Sequence, residues 1–277
     1  MIRYCFIFLL VLAGLFLSTQ GLANHIVGGE FELVHIEDNR YMLRLIQYRD
    51  GAQTANTVID GSVSASIFRS SDNELLIGPI NIPLDVSDTI PYTNVECSIG
   101  ELVTVRVIYS TEIELNPTEF DDPGGYYVAY ERCCRNVGVL NIVNPSAAGQ
   151  TYVLEFPPIV RDGEPFINSS PILFPPLSDY ACGRELFYVN FEGQDPDGDS
   201  LVYSLATPIN GFSDQTNPSP NAAAGPYPLV DWLPGFDEDN QVPGDLPLQI
   251  STDGVLRVVA DNSGLYVFSV LCEEFRD

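Results

Sequence analysis

The feature that most restricts this chain is a two-residue rhythm of apolar and polar side chains, interrupted at short intervals by Gly, Pro, Asn and Asp. A 3.6-residue rhythm is nearly absent. Residues i and i+2 share one face of a strand, whereas a helix groups i, i+3 and i+4. A chain patterned this way therefore buries its apolar side chains in sheets. Residues 31–36 and 41–48 flank the turn Glu37-Asp-Asn-Arg40 and predict a hairpin. Further strands are expected at 62–69, 74–82, 102–109, 125–134 and 151–156, then at 186–191, 201–206, 247–250, 255–258 and 265–273. The last is apolar on both faces, which predicts a central strand between packed layers. The fold class that follows is all-β, with two tandem β-sandwich domains.

A proline-rich stretch, 157–176, separates the two groups of strands. Proline cannot donate to a sheet ladder and stiffens a connection, so the boundary is placed near residue 165: a first domain over 24–165 and a second over 166–277. Ahead of both, Arg3, the apolar run 4–17 and the small residues Gly21 and Ala23 predict a signal peptide over residues 1–23, cleaved before Asn24. The run is shorter than the ~20 residues that a bilayer-spanning helix needs. No later segment is apolar for long enough either. The protein is expected to be secreted or displayed on the cell surface, and not to be transmembrane.

Charge narrows the partners. The chain carries 38 acidic residues against 12 basic ones, all of them Arg, for a net charge of −26. Phosphates would be repelled, which excludes nucleic acid and anionic membrane surfaces as partners. With 45% hydrophobic residues the acidity belongs to a folded exterior and not to a disordered tail. Such an exterior attracts divalent cations.

The acid is most concentrated in Asp195-Pro-Asp-Gly-Asp199, a Pro/Gly turn that runs straight into an alternating strand. Oxygen ligands on a tight loop suit calcium, which takes ~6–8 oxygens. The expected ligands are Asp195, Asp197 and Asp199, joined by Asn168 and Ser169 of the connecting stretch. Adjacent carboxylates repel, and a cation that neutralised them would lock the joint between the domains. The competing reading is that Asp and Gly simply build a turn.

Cys5 leaves with the signal, so Cys97, Cys133, Cys134, Cys182 and Cys272 remain. Outside the cytoplasm disulfides are the default. No C-x₂-C pair exists and His25 and His35 are the only histidines, which argues against zinc. Cys182 and Cys272 both fall in the second half and are expected to pair. A loop of ~90 residues closed in this way contributes roughly 4–5 kcal/mol through chain entropy. Cys97 is expected to pair with Cys133 or Cys134, which as strand neighbours point to opposite faces.

Between 208 and 247 lie eight prolines and the single tryptophan. Unstructured loops of this length are uncommon in compact domains and often functional. Tyr227, Trp232 and Phe236 are candidates for an aromatic platform that takes a surface glycan or a peptide, as carbohydrate-binding or glycan-processing modules do. The alternative is that they pin the loop to the core. No catalytic site is expected. Neither histidine lies near a Gly-x-Ser-x-Gly elbow, no Gly-rich motif would cradle phosphate, and among 38 acids some carboxylate pair arises by chance.

Several blocks together carry a resemblance. They are Asn24-His-Ile-Val-Gly-Gly-Glu30, Tyr48-Arg-Asp50, Glu131-Arg-Cys-Cys-Arg-Asn136, Ile142-Val-Asn-Pro145, Asn168-Ser-Ser-Pro171, the 195–205 stretch, Val230-Asp-Trp-Leu-Pro-Gly235 and Cys272-Glu-Glu-Phe-Arg-Asp277. In this order they resemble the N-terminal portion of gliding-motility-associated surface proteins exported by type IX secretion. The 195–205 stretch itself resembles the signature of cadherin-like and immunoglobulin-like repeats, whose linkers and Asp-x-Asp loops share calcium. The resemblance implies adhesion at the cell surface and brings no reaction with it. Gly51 stands where that family usually has Cys, which implies one disulfide fewer in the first domain.

Overall fold

The computed structural model describes residues 26–51, 59–91, 97, 103–174, 180–191 and 193–276. The predicted signal peptide, Asn24 and His25 lie outside these. Strands β1 (Ile26–Glu37) and β2 (Arg40–Asp50) form the expected hairpin, antiparallel with Leu33 opposite Leu43 and Phe31 opposite Leu45. Asp38 turns the chain with φ of 48°, a left-handed conformation that Asp tolerates better than most residues. Strands β3 (Ser62–Arg69), β4 (Leu75–Ile90), β5 (Thr104–Glu114), β6 (Tyr126–Cys133) and β7 (Gly149–Phe156) complete one antiparallel sheet, in the order β1-β2-β5-β4-β3-β6-β7.

β4 does two jobs. Its first half pairs with β3 and its second half, from Leu84 to Ile90, with β5, across a bulge between Leu84 and Val86. The sheet therefore folds over along β4, and its terminal strands meet: Gln150 Nε2 on β7 donates to the Ile26 carbonyl of β1 at 3.2 Å. The inward face of every strand then feeds a single core that includes Phe31, Leu43, Leu45, Ile67, Val107, Tyr109 and Tyr126.

The remainder is built from small pieces. They are β8 (Val160–Arg161), β9 (Glu164–Pro165), β10 (Ile172–Leu173), β11 (Phe187–Asn190), β12 (Gly193–Gln194), β13 (Ser200–Ala206), β14 (Gly244–Ile250), β15 (Val255–Ala260) and β16 (Ser269–Phe275). They pair as a β11-β15-β14 sheet, a β13-β16 pair, a β10-β12 pair and a minimal β8-β9 hairpin. Their core is centred on Phe191, Val242, Leu248, Leu256, Val258 and Ala260.

One expectation here needs correction. The final strand is not central. It begins at Ser269 and pairs with β13 alone. The apolar run before it is explained by another surface: Leu265 bridges to Val139, and Val267 packs against the Ile142, Ala148 and Val230 cluster. The connecting stretch, expected to be stiff, is also tied down. The Ser170 N–H donates to the Leu33 carbonyl at 2.8 Å, and Leu33 and His35 N–H groups donate to the Ser170 and Ser169 hydroxyls. The connection is stitched to the β1 edge.

The 207–243 connection is also ordered, because the first region supplies the hydrogen bonds it cannot make itself. Glu131, fully buried on β6, accepts the N–H groups of Phe212 at 2.5 Å, Ser213 at 3.0 Å and Ala223 at 2.9 Å. Buried Arg135 donates to the carbonyls of Gly149 and Ile209 at 2.9 and 3.0 Å. Chain meets chain so closely that a Cβ at Gly211, which has φ of 80°, would collide with Thr151 and Glu131. One at Gly149 would collide with the Asn210 carbonyl. Glycine is required at both positions. Farther along, Val143 N–H donates to the Asp231 carbonyl and Leu233 N–H to that of Asn141, at 2.8 and 3.1 Å.

Candidate functional site

Asp195 opens the acidic loop by capping it. Its Oδ1 accepts the N–H groups of Asp197 at 2.8 Å and Asp199 at 3.0 Å, and Gly198 takes φ of 86°. This is the turn chemistry that Asp and Gly supply. The loop delivers Asp199 to the start of β13, and the β13-β16 register sets Leu201 opposite Glu274. Carboxylate oxygens of Asp195, Asp199 and Glu274 consequently lie within 4.8 Å of one another. Beside them is a cavity of about 290 Å³ lined by Gly193, Asp195, Asp199, Leu201, Tyr203 and Asp253.

Of the five expected ligands, the structure brings together only Asp195 and Asp199. Asp197 points to the connecting stretch, where its Oδ2 accepts the Ser169 N–H at 2.5 Å. The Ser169 hydroxyl already accepts the His35 N–H, and Asn168 Oδ1 accepts a guanidinium N–H of Arg276 at 2.8 Å. These three residues build the joint.

Arg276 and Glu274 were missed in the sequence. Arg276 Nε and Nη2 donate to the Asp199 carboxylate at 2.5–2.9 Å, and Nη1 donates to the Ile167 carbonyl at 2.8 Å. Nη2 also lies 3.6 Å from Asp197, and the guanidinium sits 5.0 Å over the Phe166 ring. One side chain thus joins the connecting stretch to the acidic loop. Its only signal in the sequence was a lone cation in an acid-rich terminal block. Glu274 left no such signal, because the β13-β16 register that brings it to Asp199 is not a local property of the sequence.

The electrostatics divide the cluster. The Arg276 guanidinium, by hydrogen bonding, holds the Asp199 carboxyl below the usual carboxylate range. Burial, followed by the hydrogen bond to Asp199 and the negative charge of Asp195 and Asp199, pushes Glu274 up to about 7 against the help of Asn168. Glu274 therefore gains and loses its proton near neutral pH. Asp195 Oδ2 is buried without a hydrogen-bond partner. Three carboxylates, one with an orphaned oxygen, fit a hard cation, although they fall short of the ~6–8 oxygens calcium prefers and need water for the rest.

The cysteines differ from expectation. Cys97 pairs with Cys182, with Cα atoms 5.0 Å apart, and Cys133 pairs with Cys134 across a cis peptide. Cys272 is free. The β13-β16 register sets it opposite Tyr203, on the face of β16 that carries Glu274, while Cys182 lies in the turn before β11. The assumption of opposite faces fails because β6 ends at Cys133 and the next residue is outside the strand.

The aromatic platform is not assembled. Tyr227 packs with Phe68 and Tyr127 and donates to the Ala223 carbonyl at 2.5 Å. Trp232 packs with Ile142, Ala148 and Val230, and Phe236 lies 6.4 Å from Tyr266. Each pins the connection to a different patch. His35 Nε2 lies 3.0 Å from the Asp38 carbonyl, within its own turn.

Comparison with protein-family models, with curated proteins and with solved structures gave no match. Among the described residues, no helix is long and apolar enough to cross a membrane.

Proposed function

We propose that this chain is a non-catalytic secreted or cell-surface protein of adhesion type. It would consist of two tandem β-sandwich domains behind a cleaved signal peptide, similar to the N-terminal portion of gliding-motility-associated surface proteins. The observation that carries the reading is the joint. Arg276, anchored on Asp199, and Asp197 bind the connecting stretch, which is itself sewn to β1. A protein that bears load or presents a binding surface to a glycan or protein needs its parts held at a fixed angle, and this joint supplies that. Immunolabelling of intact, unpermeabilised cells tests it. Surface signal is expected, and signal that appears only after permeabilisation overturns the reading.

Within this reading calcium is the cofactor, held by Asp195, Asp199 and Glu274. It would neutralise the acids on the side that Arg276 does not reach. The melting temperature is expected to rise in Ca²⁺ over EDTA, more at pH 8 than at pH 5 because a proton on Glu274 competes with the ion. Asp195→Asn and Glu274→Gln should remove the difference and Asp197→Asn should leave it. Equal melting in Ca²⁺ and EDTA at pH 8 removes calcium from the proposal and leaves the Arg276 joint standing.

A further inference from the structure

We infer that the outer edge of β16 is a docking site for an extended strand of another polypeptide, mostly apolar and carrying a basic residue against Glu273. β16 pairs with β13 on one side only. The Ser269 N–H, opposite Ala206, donates to Gln241 Oε1 at 3.1 Å and so points away from β13. Backbone groups alternate along a strand, so the N–H and C=O of Leu271, Glu273 and Phe275 point the same way. The structure gives those N–H groups no acceptor among the described residues.

Two other edges are managed. β1 is covered by the 169–170 stretch and approached by β7, and β14 carries Pro247. Natural sheets blunt or cover their edges in these ways. Beyond Ser269, whose N–H Gln241 takes, β16 has neither a cover among the described residues nor a proline. Its flank is open to match. Leu271 and Phe275 are 46% and 52% exposed, and Val270 and Cys272, on the inner face, are only half-buried.

Charge selects the occupant. Glu273 stands between Leu271 and Phe275 on the outward face, so a pairing strand meets apolar, acidic and apolar positions in turn. A second copy fits badly: antiparallel pairing centred on Glu273 would set the two Glu273 side chains opposite one another, and each chain carries a net −26. An added strand contributes main-chain hydrogen bonds for affinity and alternate side chains for specificity.

Amide hydrogen exchange with a capped peptide of about seven residues, Val and Thr around a central Arg, tests the inference. Leu271, Glu273 and Phe275 should exchange fast in the free protein and slow by at least about tenfold with saturating peptide, with Val270 and Cys272 protected throughout. E273P removes one open-edge N–H without touching the β13 ladder and should abolish the protection. E273K, which keeps that N–H, should reverse the preference toward a peptide with a central Glu. Failure of the peptide to protect the alternating amides overturns the inference. So does protection that arises from protein concentration alone, which would identify a second copy as the occupant.

Discussion

The first region closes one seven-stranded sheet over a continuous apolar core, whereas the second is divided among strands of two to seven residues. Nineteen buried residues form the first core and six the second, among the described residues. The difference teaches where each obtains its order. Burial of apolar surface suffices for the first, at roughly 1.5–3 kcal/mol for each large side chain. The second leans on polar and covalent ties to its neighbour: Cys97–Cys182, the Glu131 carboxylate, Arg135, the Asn141 amide and Arg276.

The sharpest test of that contrast is Leu43→Ala, which empties a fully buried position and should cost about 3–5 kcal/mol. If the second region depends on the first, both unfold together and calorimetry shows one transition. Two separated transitions would break the comparison. Cys97→Ser with Cys182→Ser should follow, costing about 2–5 kcal/mol in chemical denaturation for a tie spanning 85 residues. Glu131→Gln comes next at about 1–3 kcal/mol, because the amide NH₂ would face either the Ala223 N–H or those of Phe212 and Ser213. Its mark is faster amide exchange at Phe212, Ser213 and Ala223, with β1 and β2 unchanged. The smallest effect is electrostatic. The folded Glu274 carboxyl lies near 7 against 4.5 unfolded. Between those values the native state holds more protons, so stability should fall as pH rises through the window. Glu274→Gln should flatten that slope in melts from pH 5 to pH 8.

The strands were legible because alternation is a local property. The hairpin, β3, β6 and β13 stand within a residue or two of expectation at most of their ends, and the β-rich class follows from them. β4 ran eight residues past its expected end, because Pro83, Asp85 and Asp88 read as a loop while pairing along β5, where Asp88 meets Arg106 at 2.9 Å. The joint was legible only in composition. Asp195 and Asp199 announced themselves by crowding, yet which acids converge depends on a register between β13 and β16 that local pattern does not encode. Arg276 lay beyond the reach of such reasoning for the same reason: its partners are more than seventy residues away. The cysteine pairing failed because sequence position is a poor guide to which thiols meet in space.

The arginine-only cation set has a practical corollary. Most of the described arginines sit inside paired strands, among them Arg40, Arg44, Arg49, Arg69, Arg106, Arg132 and Arg257, and the 208–247 stretch contains no basic residue. Trypsin-like proteases need a basic residue on a segment that can be drawn into their cleft. The longest irregular stretch among the described residues therefore offers them nothing to cut.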